Sequence, residues 1–280
     1  MMISSGLGKY LAPTSLGIGY AIFKILSLRI LDSDLAISLD LTYQFLAGIL
    51  LGFALRPVTT MIYWKWTTSI IFFTMFLLIL GPLDQIFRQL IWGIQFDNTF
   101  WKLLFPEISA AFGVSILGTI MLQPQQKNIS IGFLWRRFKK ELDLKGFIKL
   151  IGCGLIYTLL FLILQTNFDE SFTSPFWIDR LHELLVVPPI SAKSKIILLW
   201  VQGVLNTLIL LPLFLVFLRE RAELIVVLGS LVFVVAVFSP AFANFQRIEP
   251  LLLVDQVFIG FCLHFLFVVS TVFCFGRNKK

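Results

Sequence analysis

Asp40, Glu107 and Asp255 are carboxylates set in stretches of chain made otherwise of Leu, Ile, Val, Phe and small residues. An acid in such surroundings stays charged only beside a counter-charge, and otherwise takes up a proton. Amides accompany these acids. Gln44 follows Asp40 by one helical turn, and Gln202 and Asn206 are likewise one turn apart on one face. Acids and amides inside apolar helices are the groups that would bind a cation, exchange a proton or hold a small polar ligand. The same side chains also tie helices together by hydrogen bonds, and acids near a helix end reach lipid headgroups. Both readings stand on these residues.

Other chemistry finds no footing. His182-Glu183 begins like a zinc-protease pattern, but Val186 stands where the second His is required. His264 lies deep in the last apolar run near Cys262 and reads as a packed polar side chain. No phosphate-binding Gly-Lys-Ser/Thr loop and no Gly-flanked nucleophilic Ser occurs, so the chain does not read as an enzyme. Cys153, Cys262 and Cys274 all fall in apolar runs without metal-ligand spacing, so neither a metal site nor a cofactor is expected. Asn128-Ile129-Ser130 matches a glycosylation acceptor but falls in a segment read as cytoplasmic.

The elements that must position these residues are helices. Of the 280 residues 58% are hydrophobic and 14% charged, and the mean hydropathy is +0.90. That is more apolar surface than one aqueous core can bury, so lipid must solvate the remainder. A span needs about 20 apolar residues. Runs of that length at 11–31, 35–55, 66–86, 103–122, 147–167, 195–218, 222–243 and 251–275 predict a single all-α transmembrane bundle of eight helices. The first run carries Lys24 and Arg29, which would have to snorkel toward headgroups, and lying flat on the surface is its alternative. No cleavable leader is expected ahead of it. The net charge of +7 gathers in short segments between spans, which argues for lipid and against nucleic acid. With both termini cytoplasmic, inside segments carry about twice the Lys and Arg of outside ones, which predicts a multi-pass cell-membrane protein in that orientation.

In this topology Asp40, Glu107 and Asp255 share a level near the outer ends of their spans, with Gln202 and Asn206 in the outer half of the sixth and Asp84 near the outer end of the third. Asp40, Glu107 and Asp255 are expected to converge with Gln202 and Asn206 on one outward-facing polar cavity. Asp40, Gln44, Gly48 and Gly52 recur every four residues, so the second span sets polar groups above small ones that allow close helix approach. Within the linker 124–146, Ile131, Leu134, Trp135, Phe138 and Leu142 repeat at helical spacing among Arg136, Arg137, Lys139 and Lys140. That pattern predicts an interfacial helix whose four cations bind anionic lipid, the alternative being a solvated basic loop. Similar stripes at 174–187 and at Leu83, Phe87, Leu90, Ile91 and Ile94 predict short helices on the outer surface.

The segment Ala47-Gly48-Ile49-Leu50-Leu51-Gly52-Phe53-Ala54-Leu55-Arg56-Pro57, the basic Arg136-Arg137 linker, Trp200-Val201-Gln202-Gly203 with Asn206 and Leu211-Pro212-Leu213, and the turn 219–223 together resemble the eight-span membrane-associated sensor domains of bacteria. In that family such domains precede histidine kinases and cyclic-dinucleotide enzymes. The family's Trp-Pro ahead of the second-span glycine is replaced here by Tyr43-Gln44-Phe45, and the chain reaches Lys280 without an output domain. The resemblance implies a stand-alone sensory or ligand-binding module that signals through a membrane or cytoplasmic protein partner. A transporter or channel component is the second expectation. Its two four-span halves would be parallel repeats, hinted at by Leu80-Gly81-Pro82 and Phe238-Ser239-Pro240. An assembly or scaffold subunit is the third.

Overall fold

A computed structural model describes residues 8–30, 41–62, 64–91, 98–122, 131–167, 190–216, 220–243 and 250–276. The elements are α1 (Gly8–Ile30), α2 (Leu41–Met61), α3 (Trp66–Leu78), α4 (Asp84–Ile91), α5 (Asn98–Leu122), α6 (Ile131–Glu141), α7 (Leu144–Asn167), α8 (Ala192–Val216), α9 (Arg221–Phe233), α10 (Ser239–Ala243) and α11 (Pro250–Phe275). No strand occurs among the described residues. Helix is what such sequences form in lipid, because each backbone N–H and C=O must find its partner within the segment.

Among the described residues, six helical segments are long and apolar enough to cross a membrane: Trp66–Arg88, Leu104–Leu122, Leu144–Asn167, Ala192–Phe214, Arg221–Ala243 and Gln256–Phe275. The chain is thus a membrane-embedded helical bundle, with six such segments in place of the eight expected. Not among the six are α1, which contributes a shorter apolar stretch at Leu11–Ser27, and α2, whose sequence carries Gln44 and Arg56. Lys24 does not snorkel: it is buried and ion-paired inside the bundle.

Two helices are bent in the same way. Pro82 has no N–H, and its ring cannot pass the carbonyl one turn back, so α3 widens into a π-turn at Ile79–Leu83 before continuing as α4. Pro240 ends α9 likewise in a π-turn at Val234–Phe238, leading into α10. The stripe after the third span is therefore no separate surface helix. Through Ile91 it continues the span, turned so that Asp84 and Arg88 face inward. The 174–187 stripe and His182 lie outside the described residues.

The bends belong to an internal repeat. The same offset separates Ile79 from Val234, Gly48 from Gly203 and Lys65 from Glu220, and these last two precede α3 and α9 with identical backbone angles, φ −62° and ψ 147°. In the first half α1 packs on α2 and α5, and α3 on α5; in the second, α7 packs on α8 and α11, and α9 on α11. Between the halves the arms are exchanged: α4 packs on α8, and α10 on α2. Swapping the halves leaves this pattern unchanged, which makes the fold an approximate twofold duplication.

Glycines make the matching contact in each half. A Cβ on Gly48 would lie 2.6 Å from Tyr20 Cβ and 2.8 Å from Gly17 Cα. One on Gly203 would lie 2.6 Å from Tyr157 Cβ and 3.0 Å from Gly154 Cα. Backbone approach this close is how membrane helices gain van der Waals contact where no hydrophobic force draws them together. Gly48→Val and Gly203→Val should each destabilise the bundle by roughly 1–3 kcal/mol through overpacking. Gly152→Ala, with nothing within 4 Å of the added carbon, should be neutral in the same thermal-unfolding measurement in detergent.

Outside the bundle, α6 exposes Ile131, Phe133 and Trp135 together with Arg136, Arg137, Lys139 and Lys140, and buries only Leu134. The Asp143 carboxylate accepts a hydrogen bond from the Gly146 N–H at 2.7 Å, capping the start of α7 directly after it.

Candidate functional site

The largest concentration of buried polar side chains sits where the first half's α4 meets the second half. Asp84 and Arg88 are one turn apart just beyond the π-turn and lie on one face. Both are buried, with 1% and 7% of their surface exposed. Arg88 Nε donates to Asp84 Oδ2 at 2.9 Å. The other carboxylate oxygen accepts a short hydrogen bond from Gln202 Nε2 on α8. Arg88 Nη2 lies 3.2 Å from Nε2 of His264 on α11. A guanidinium only donates, so His264 Nε2 must accept, and a neutral ring then carries its proton on Nδ1.

Gln202 reaches this centre from α8, where Gly203 next to it lies directly on α7, and Asn206 is buried one turn further along the helix. Trp200 fixes the approach from the other side, its indole N–H donating to the Ile151 carbonyl at 3.3 Å. Tyr157 stands beside Gly203 with its ring 6.2 Å from His264, in the field of Asp84 and Arg88. Four fully enclosed atoms here have no hydrogen-bond partner among the described residues: His264 Nδ1, Tyr157 Oη, Gln202 Oε1 and Asn206 Nδ2. The network is electrically balanced by one acid and one guanidinium, yet it keeps donors and acceptors in reserve. Such groups suit a neutral polar ligand, or a proton passed between neighbours, better than a second net charge.

The other residues singled out by sequence are distributed as follows. Glu107 lies in the first half, where its Oε1 is 2.5 Å from Lys24 Nζ and its Oε2 accepts from Tyr20 Oη at 3.1 Å. Gln44 is buried and donates through Nε2 to the Ala243 carbonyl on α10 at 2.8 Å. Beside it Ser239 Oγ donates to the Ala47 carbonyl at 3.4 Å. Asp40 and the side chain of Asp255 lie outside what is described. Gln202 is thus brought together with Asp84, with Asn206 buried one turn along the same helix, and Glu107 is brought together with Lys24 and Tyr20.

Two further members are Arg88, which lies within the stripe read from sequence as a short outer-surface helix, and His264, read as a packed polar side chain. A signal was present in Gly81-Pro82: a proline this close to a span end marks a bend that can turn the next charged face inward. Among the described residues no group of His, Cys, Asp and Glu is arranged to hold a metal ion. Comparison with known proteins finds no family model, no curated protein and no solved structure that matches the chain.

Proposed function

We propose that this membrane protein is a sensory or ligand-binding module in which the Asp84–Arg88–Gln202–His264 network couples the two halves and transmits its state to a protein partner. One observation carries the reading. A charged pair belonging to one half is held by an amide and an imidazole of the other. A ligand or proton that changes these contacts changes how the halves are joined, which is what a bistable element in a sensor must do. The likeness to bacterial sensor domains points the same way.

The internal repeat favours a second reading, a transporter, since parallel repeats with interrupted helices are common in that class. The two are separated by purifying the chain from native membranes. A stably associated protein whose binding changes in Asp84→Asn supports sensing. Solute flux by the purified chain alone, abolished by Asp84→Asn, supports transport and removes the sensory reading.

The repeat also bears on topology. Because α1 and α2 take the places that α7 and α8 take in the second half, we infer that they too cross the membrane, giving eight crossings with both termini cytoplasmic in a cell membrane. Reporter fusions after Lys140 and at Lys280 should read cytoplasmic, and fusions near Asp97, Ser171 and Asn244 external. An external reading at Lys280 would rule out eight crossings.

A further inference from the structure

The repeat sets Tyr20 of α1 in the place of Tyr157 of α7, each one turn from the glycine contact that joins it to the next helix. We propose that the corner formed by Tyr20 and Glu107 is a recognition site for a primary alkylammonium group, held in this structure by the chain's own Lys24 as a tethered competitor.

Three contacts define the site. Lys24 Nζ lies 2.5 Å from Glu107 Oε1, 3.4 Å from Tyr20 Oη and 5.4 Å from the centre of the Tyr20 ring. A carboxylate supplies charge, a phenol oxygen accepts a hydrogen bond, and an aromatic face supplies its negative quadrupole. Together they match an ammonium that offers three N–H donors on a hydrocarbon stem. Tyr20 in turn donates to the second carboxylate oxygen at 3.1 Å, which holds both acceptors in one orientation.

Accessibility is uneven in a useful way. The Lys24 side chain is 7% exposed, whereas Glu107 keeps 32% of its side chain open. The resident cation is thus enclosed, while part of the carboxylate stays uncovered by the chain.

The second half supplies independent support. There the position matching Lys24 is Phe161, and the cation comes instead from the other half: Arg88 lies 3.2 Å from His264, whose ring is 6.2 Å from that of Tyr157. In each half a cation drawn from a different element thus accompanies the surroundings of the tyrosine. This site is separate from the Asp84 network, and its test touches none of that network's members.

The test uses full-length protein in detergent or nanodiscs, with n-butylammonium as the probe and potassium at equal ionic strength as control. Lys24→Ala vacates the stem's volume, whereas Lys24→Met fills it without charge. The expected result is a saturable rise in the unfolding temperature of Lys24→Ala with n-butylammonium. Lys24→Met and the double variant Lys24→Ala/Glu107→Gln should not respond, and wild type should need at least about tenfold more amine. If Lys24→Ala does not survive purification, n-butylammonium present during solubilisation should restore its recovery as a monodisperse species. No saturable response and no rescue would overturn the proposal, leaving a structural ion pair. So would an equal response in Lys24→Met, in the double variant or with potassium.

Discussion

Arg88→Met should lower the stability of the folded bundle by about 3–5 kcal/mol, the cost of stranding a buried carboxylate without its cation. Asp84 has no exposed route to water, and Gln202 alone would be left to satisfy it. Adding Asp84→Asn to Arg88→Met should recover much of that loss, because the remaining groups are then neutral and hydrogen-bonded. A double-mutant cycle read by denaturant-induced unfolding in micelles measures the coupling directly. Strictly additive effects would show that Asp84 and Arg88 do not act as a pair. Gln202→Ala should cost less, about 1–3 kcal/mol, since it leaves an unsatisfied acceptor that still has its guanidinium.

The second large effect is expected at α6. Changing Arg136, Arg137, Lys139 and Lys140 together to Gln should weaken its hold on an anionic bilayer by roughly 1 kcal/mol per charge. The sum is about 4 kcal/mol, or on the order of a thousandfold in the docking equilibrium. Two of these cations face aromatic rings of their own helix, Arg137 over Phe133 at 5.1 Å and Lys139 over Trp135 at 5.6 Å, so charge and apolar surface share one side. In nanodiscs of anionic lipid, amide exchange over 131–141 should accelerate in the quadruple variant. In neutral lipid, wild type and variant should exchange alike. Equal acceleration in both lipids would show that the helix is not held by charge.

Hydropathy made the helical membrane fold legible because lipid leaves the backbone no alternative to helix. The apolar run from Trp66 and those ending at Leu122, Asn167, Ala243 and Phe275 are readable residue by residue. Which way a polar residue faces within a run is harder, and Arg88 shows why. A π-turn takes one residue more than an α-turn, so a wheel drawn from α3 through the bend points α4 in the wrong direction. Reading across Pro82 as if the helix were uniform places Asp84 and Arg88 at the rim, when they are buried. Gln202 and Asn206 lie on an unbroken stretch of α8, and their common face is visible from spacing alone. Lys24 failed for another reason: snorkelling is a default for a lone cation, and the acid that holds it is 83 positions further along the chain. The repeat was hinted at by two prolines, but its firmest marks are contacts of Gly17 with Gly48 and Gly154 with Gly203, which no linear comparison displays.

The exchanged arms constrain how the protein is made. Asp84 and Arg88 belong to the third helical segment from the N-terminus, whereas the groups that hold them, Gln202 and His264, come more than a hundred residues later. While the ribosome works through α5, α6 and α7, the first half sits in the membrane with a charged pair that has not yet met its cross-half partners. Until α11 has been synthesised and inserted, Arg88 lacks His264, so α11 completes a contact begun by α4. Completion of this polar network therefore waits on α11, and a chain cut short before His264 would present the insertion machinery with a half-finished polar face.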